Sequence, residues 1–256
     1  MTLTKRIGLI LGPLFFILIH LYFDGDGLSG QGRDILAITV WIGIWWVLEV
    51  LPIAVTALLP IVLFPLLDTI SLGETTASYG HKYVFLYMGG FMLAMAIEKW
   101  GLHKRIALLI IKAIGTNMYT IVLGFMVATA FLSMWISNTA TSVMVLPMAI
   151  SIIKQLEDNP NSISSVNKSF SKLLMLSIAY SASIGGMATL IGTPPNLVFA
   201  GFVQKTYGID ISFWQWMKFG LPVATLLLII SWYYLTRIAY PQKEKRFPGG
   251  KKEINR

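Results

Sequence analysis

Cysteine is absent from this 256-residue chain, which excludes disulfides and thiolate metal sites and leaves the redox compartment open. Charge is nearly as scarce: Asp, Glu, Lys and Arg make up 12% of the residues, against about 25% in a soluble domain. Acidic side chains are the rarer kind, twelve against twenty basic ones, for a formal net charge of +8. The three histidines, His20, His81 and His103, are scattered in a way that argues against a metal site. What fills the chain is apolar. Hydrophobic residues reach 55% and the mean hydropathy is +0.70, so most of the surface must face lipid.

Six stretches, 7–23, 35–51, 53–67, 83–97, 173–203 and 214–239, are long enough, or nearly so, to cross a hydrocarbon core of about 30 Å. The first has no small-residue cleavage site and runs into Tyr22-Phe23-Asp24, so it reads as a retained span and not a signal peptide. A seventh apolar unit covers 119–153. As one straight helix it would reach about 52 Å, so it must turn back, either as two tight spans or as a re-entrant hairpin. The hairpin is favoured because Ser137-Asn138-Thr139 falls near its middle. Residues 99–115 carry Lys99, His103, Lys104 and Arg105 ahead of a short apolar run and are expected to form an interfacial helix on the inner face. The segment 158–171 is expected to be an inner loop.

Alternating the spans from a cytoplasmic N-terminus puts sixteen of the twenty basic residues inside. Arg33, Lys82, Lys205 and Lys218 are the four left outside. That is a strong positive-inside bias and places both termini in the cytoplasm of a multi-pass inner-membrane protein. Seven of the basic residues fall in 237–256, and the tail 241–256 reads as an anchor beside anionic lipid. No nucleic-acid partner is implied, and Trp41, Trp45 and Trp46 read as interface or scaffold packing.

Two polar insertions interrupt the apolar stretches: Ser137-Asn138-Thr139, and Gly192-Thr193-Pro194-Pro195-Asn196. At membrane depth such residues are costly unless they line a cavity or site, and paired helix breaks are how many carriers build one. Ser133 and Ser137 lie four apart on one helix face. Thr139 is placed to cap a helix resuming at Ala140. Such a tip offers carbonyls and hydroxyls to a cation, and a helix N-terminus to an anion. Gly185, Gly186, Ser177, Ser181 and Ser183 read as helix-packing contacts. Glu49 and Glu98, near span ends, read as structural or interfacial. Neither insertion contains a titratable side chain, which favours sodium over a proton as coupling ion.

The pattern Ser133-x-x-x-Ser137-Asn138-Thr139 followed by Ile191-Gly192-Thr193-Pro194-Pro195-Asn196 resembles the divalent anion:sodium symporter family of di- and tricarboxylate carriers. Trp45-Trp46-Val47-Leu48-Glu49-Val50-Leu51-Pro52 and Glu98-Lys99-Trp100-Gly101-Leu102-His103-Lys104-Arg105 resemble the same family, in order along the chain. The resemblance implies an all-α integral membrane fold of six spanning helices, the fifth broken, plus one re-entrant hairpin, forming one of two inverted repeats. It implies that Ser133, Ser137, Asn138 and Gly192 hold sodium. Asn138, Thr139 and Thr193 would meet a substrate carboxylate, with Pro194 and Asn196 on the same substrate side. It further implies an elevator movement on a dimeric scaffold. The scaffold would be 1–98, the interfacial helix 99–115, and the transport-domain parts 119–154 and 172–240.

Only one Ser-Asn-Thr tip and one Gly-Thr-Pro break are present, where the family has two repeats. The chain is therefore expected to be the N-terminal half of a longer carrier, inactive in transport without the missing repeat, and not an enzyme. Two other readings stand beside this one: a carrier of sulfate or a similar inorganic anion, and a non-transporting membrane partner subunit.

Overall fold

Apolar runs punctuated by Gly, Pro and Ser give helices of uneven length, and every regular element among the described residues is helical. The computed structural model describes residues 1–25, 27–114, 117–157 and 164–241. Most of the expected basic tail and the first part of the expected inner loop lie outside them. Two compact units divide the chain, Met1–Lys82 and Tyr83–Arg256.

In the first unit α1 (Leu3–Tyr22) and α2 (Gly30–Val47) form an antiparallel pair. Gly8 and Gly12 make the notch on α1: a Cβ on either would come under 3.0 Å from side chains of Leu48 and Val50, or of Trp41 and Trp45. Small residues let membrane helices approach closely. The Trp45 indole N–H donates to Gly8 O at 3.0 Å, and Trp41 stands edge-on to Trp45. Trp41 and Trp45 therefore pack between the two helices, as expected, whereas Trp46 is exposed. Three short helices follow: α3 (Ile53–Thr56), α4 (Leu59–Leu66) and α5 (Leu72–Tyr79). The single span expected over 53–67 is thus interrupted. Pro60 has no N–H for Thr56 O, and its ring crowds that carbonyl. Helix α5 was not expected; Ser71 starts it by accepting the Glu74 N–H at 3.2 Å. The Tyr79 phenol donates to Ala57 O, and burial pushes its pKa up from the ordinary value.

The second unit is built around α8 (Met118–Ser133), twelve of whose sixteen residues are buried. A helix apolar on all sides belongs in a core. Against it pack α7 (Leu102–Ile114), α9 (Asn138–Glu157), α10 (Ser164–Gly186) and α12 (Phe213–Tyr233). Helix α10 starts well before the 172 expected for the fifth span, so 164–171 is helix and not loop. Phe170, Leu173, Leu174 and Ile178 form one stripe that buries into the core, and no Gly or Pro opposes it. Helix α6 (Lys82–Lys99) lies with α11 (Pro194–Tyr207): Tyr83 packs among Leu190, Leu197 and Ala200 and donates to Ile211 O at 3.3 Å. The scaffold implied by the resemblance runs to 98, whereas α6 groups here with the later helices. A π-helical turn, Tyr234–Ala239, continues α12 and turns Leu235 into the core.

Among the described residues two helices, Leu3–Tyr22 and Phe213–Ala239, are long and apolar enough by length and composition to cross a membrane. Helix α8, at sixteen residues, reaches about 24 Å and falls short of the hydrocarbon thickness.

Candidate functional site

Four helix ends come together. The C-terminal residue of α8, Ser133, lies fully buried with its hydroxyl 2.7 Å from Ala182 O on α10 and 2.7 Å from Asn138 Oδ1, the first residue of α9. The last residue of α10, Gly186, faces the same amide; a Cβ there would come under 3.0 Å from Asn138 Oδ1. Gly192 in turn sits on the Gly186 backbone, where a Cβ would again have no room. Helix α11 then starts at Pro194. The two C-terminal ends bring carbonyls and negative dipole ends together, and the two N-terminal ends bring positive ones.

Local chemistry explains each break. The turn 134–137 leaves α8 through Trp135 N–H and Ile136 N–H, both donating to Leu132 O at 3.0 Å. Ser137 then caps α9: its Oγ accepts the Ala140 N–H at 3.3 Å and its carbonyl the Thr141 N–H at 2.9 Å. The expected cap, Thr139, is instead inside the first turn with its side chain exposed, because the helix resumes at Asn138. The N–H groups of Asn138 and Thr139 are among those a helix start leaves without an intrahelical partner.

In the second break, α10 ends at Gly186 and 187–193 are irregular. Thr189, fully buried, donates its hydroxyl to Met134 O and so ties this loop to the α8–α9 turn. Asn196 donates both amide hydrogens, to Gly186 O at 2.9 Å and to Thr189 O at 2.8 Å. What Asn196 has left for a ligand is an oxygen, a poor partner for a carboxylate. Its amide holds the loop in shape. Pro194 and Pro195 bring no N–H to the start of α11, and the Asn196 N–H is bonded to Thr193 O at 3.1 Å. That leaves the hydroxyl of Thr193, half-buried and without a side-chain capping bond, at this end. Helix α12 braces the loop from outside through the Trp216 indole N–H, 3.0 Å from Met187 O.

The structure thus links Ser133 to Asn138, Asn138 to Gly186 and Gly186 to Gly192, with Ser133 and Gly192 buried; Ser137 adjoins them as the cap of α9, and Ser137, Asn138 and Thr193 are half-exposed. Thr139 and Pro194 are exposed at the rim. Gly186, expected as a helix-packing contact, and Thr189 and Trp216, for which no role is expected, also border the two breaks. Thr189, a lone hydroxyl between Ala188 and Leu190, was the readable signal. Ser177 and Ser181 bond back to carbonyls of their own helix, at 2.7 Å to Leu173 O for Ser177, and Gly185 packs its Cα against the Ala130 backbone. These are packing contacts, as expected. Among the described residues, no group of three His, Asp or Glu side chains is placed to hold a metal.

Residues 43–254, which include all of these positions, match the model of a family described as citrate transporters. The chain belongs to that family. It is 45% identical over 258 aligned positions, 98% of the chain, to a sodium-dependent dicarboxylate transporter of Staphylococcus saprophyticus. To the sodium-dependent dicarboxylate transporter of Staphylococcus aureus strain USA300 it is 47% identical over 250, or 96% of the chain. These matches bear out the resemblance to the divalent anion:sodium symporters. The chain spans about half the length of the relatives it matches, 49% and 48% respectively.

Proposed function

We propose that this citrate-transporter chain supplies one half of a sodium-coupled carrier for di- or tricarboxylates, with the four converging helix ends as its ion and substrate site. The observation that carries the reading is the crowding of oxygens at Ser133. Its hydroxyl has one hydrogen for two oxygens at 2.7 Å, Ala182 O and Asn138 Oδ1. A small hard cation relieves such a surplus, since it needs only neutral oxygens. Without the cation, the Asn138 amide can turn its Nδ2 toward Ser133 and donate. Sodium ligands are then Ser133, Ser137, Asn138 and Gly192.

The substrate carboxylate docks above the ion, on the Asn138 and Thr139 N–H groups and the Thr193 hydroxyl, where the positive ends of α9 and α11 favour an anion. Pro194 shapes the rim, and Asn196 keeps the loop closed beneath. Bound sodium offsets the anion's charge in a low-dielectric site, so ion loading favours substrate loading.

In the full carrier the chain contributes six spans and one re-entrant hairpin, α8–α9, with both termini cytoplasmic. A second inverted repeat completes the site. The first four spans form a dimeric scaffold, and the hairpin, the broken fifth span and the sixth ride against it as an elevator. The test is Asn138→Ala, with the chain joined to its second repeat, measured as sodium-driven succinate uptake into vesicles. Removing a charge-assisted ligand should weaken sodium activation about 10- to 100-fold. Uptake at the unmodified level would refute the assignment.

A further inference from the structure

Helix α7 poses a packing problem that the transport site does not answer. Its thirteen residues reach about 20 Å, too short to cross the hydrocarbon. One side is buried: Ala107 and His103 are 0% and 3% exposed, and Ile106 and Ile110 pack against the core around α8. The His103 ring nitrogen Nδ1 lies 3.3 Å from Ile97 O on α6, and Gly101, at φ +64°, makes the sharp turn between the two helices. Helix α7 is therefore held at a fixed roll. The opposite side carries exposed Leu102, Leu108 and Leu109 together with exposed Lys104 and Arg105, and Trp100, 81% exposed, stands just ahead of them. Lys99 and Glu98 at the end of α6 are exposed alongside. From 102 to 114 there is no acidic residue.

Helices α1 and α12 differ, since the faces they turn outward are largely plain apolar surface suited to acyl chains. On α7 the leucines are interleaved with cations, which suits neither water nor the hydrocarbon interior. It suits the boundary between them, where apolar side chains dip toward the acyl chains and Lys and Arg reach the headgroups. We propose that the outer face of α7, with Lys104 and Arg105 as its headgroup ligands and Trp100, Leu108 and Leu109 as its wedge, binds anionic phospholipid selectively over zwitterionic lipid. The proposal rests on the interfacial placement of α7 given above.

The experiment uses the full chain in nanodiscs of phosphatidylcholine with phosphatidylglycerol raised from none to about 30%, read as the thermal unfolding midpoint. Phosphatidylglycerol should raise the midpoint, and K104Q/R105Q, with affinity weakened roughly 25-fold at about fivefold per cation, should lose most of that shift across the same range. K5Q/R6Q, which removes two other basic residues assigned to the inner face, should keep the response. A double K104Q/R105Q variant with the full shift, an equal loss in K5Q/R6Q, or the same stabilisation by soluble glycerol phosphate would each overturn the proposal. Both leaflets of a disc have the same composition, so this result stands or falls independently of sidedness and of the Asn138→Ala uptake assay.

Discussion

In the first unit α1 turns its leucines, isoleucines and phenylalanines outward and buries Gly8 and Gly12, whereas in the second α8 buries most of itself and ends in a polar knot. Lipid tails are as apolar as leucine, so burying leucine gives membrane helices little reason to associate; shape and hydrogen bonds decide. In the α1–α2 pair the counterpart of each glycine notch is a side chain, Trp41 or Trp45 at Gly12. In the second unit the counterpart at Gly185 and at Gly192 is backbone, that of Ala130 and of Gly186. Side chains can shift by a rotamer. Backbone held in a helix cannot, so the second unit is the more rigidly specified of the two.

The sharpest way to break that comparison is Gly185→Ala. With the Ala130 carbonyl in the way, it should cost about 3 kcal/mol, read as a lowered unfolding midpoint or loss of monodisperse protein in detergent. A midpoint within error of the parent would show that α8 and α10 are not packed backbone to backbone. Sodium should act on one side of the comparison alone. At about 100 times its Kd it adds about 2.7 kcal/mol to the state that binds it. Hydrogen exchange should then slow at 133–138 and 186–192 and stay unchanged in α1 and α2. Equal slowing in both units would point to a general salt effect.

Gly12→Ala tests the softer contact. Its clash is with indole rings, and the gain of about 0.8 kcal/mol in helix propensity offsets part of it. A net loss of about 1 kcal/mol or less is expected, well below that for Gly185→Ala in the same melting assay. The smallest effect concerns Glu49, which closes α2 in the left-handed region at φ 46°, where its N–H and that of Val50 donate to Trp46 O and Trp45 O. Glycine is the usual residue at such a helix end. Glu49→Gly should therefore add about 0.5 kcal/mol of stability, read as a slightly raised midpoint, or leave it level. A clear drop would mean that the carboxylate makes a contact worth more than the strain.

Both helix breaks were legible because hydroxyls, amides, glycine and proline stand out in apolar sequence. Ser137 as the cap was not, since Ser137 and Thr139 cap equally well in principle and only the start of α9 chooses between them. The interruption of 53–67 was written in Pro60, and was masked by the apolar residues around it. The helix over 164–171 was hidden by its serines, whose weak propensity is overridden once Phe170 finds a core to fill. Asn196 looked like a ligand because its position follows the break. Its two amide bonds depend on where Gly186 and Thr189 lie, which spacing does not reveal.

By itself, the order of residues determined the solvent this protein lives in, the helical class and the two places where its helices must stop, because composition and Gly, Pro and Ser positions act locally. Tertiary packing decided which remote groups meet at those stops. Ser133 reaches a carbonyl forty-nine residues away and Thr189 one fifty-five residues away, and both contacts exist only because α8 and α10 pack closely enough to bring their ends together. Hydrogen bonds and ion ligation act over about 3 Å, and distances that short between remote residues are set by the way helices pack, which no local pattern records.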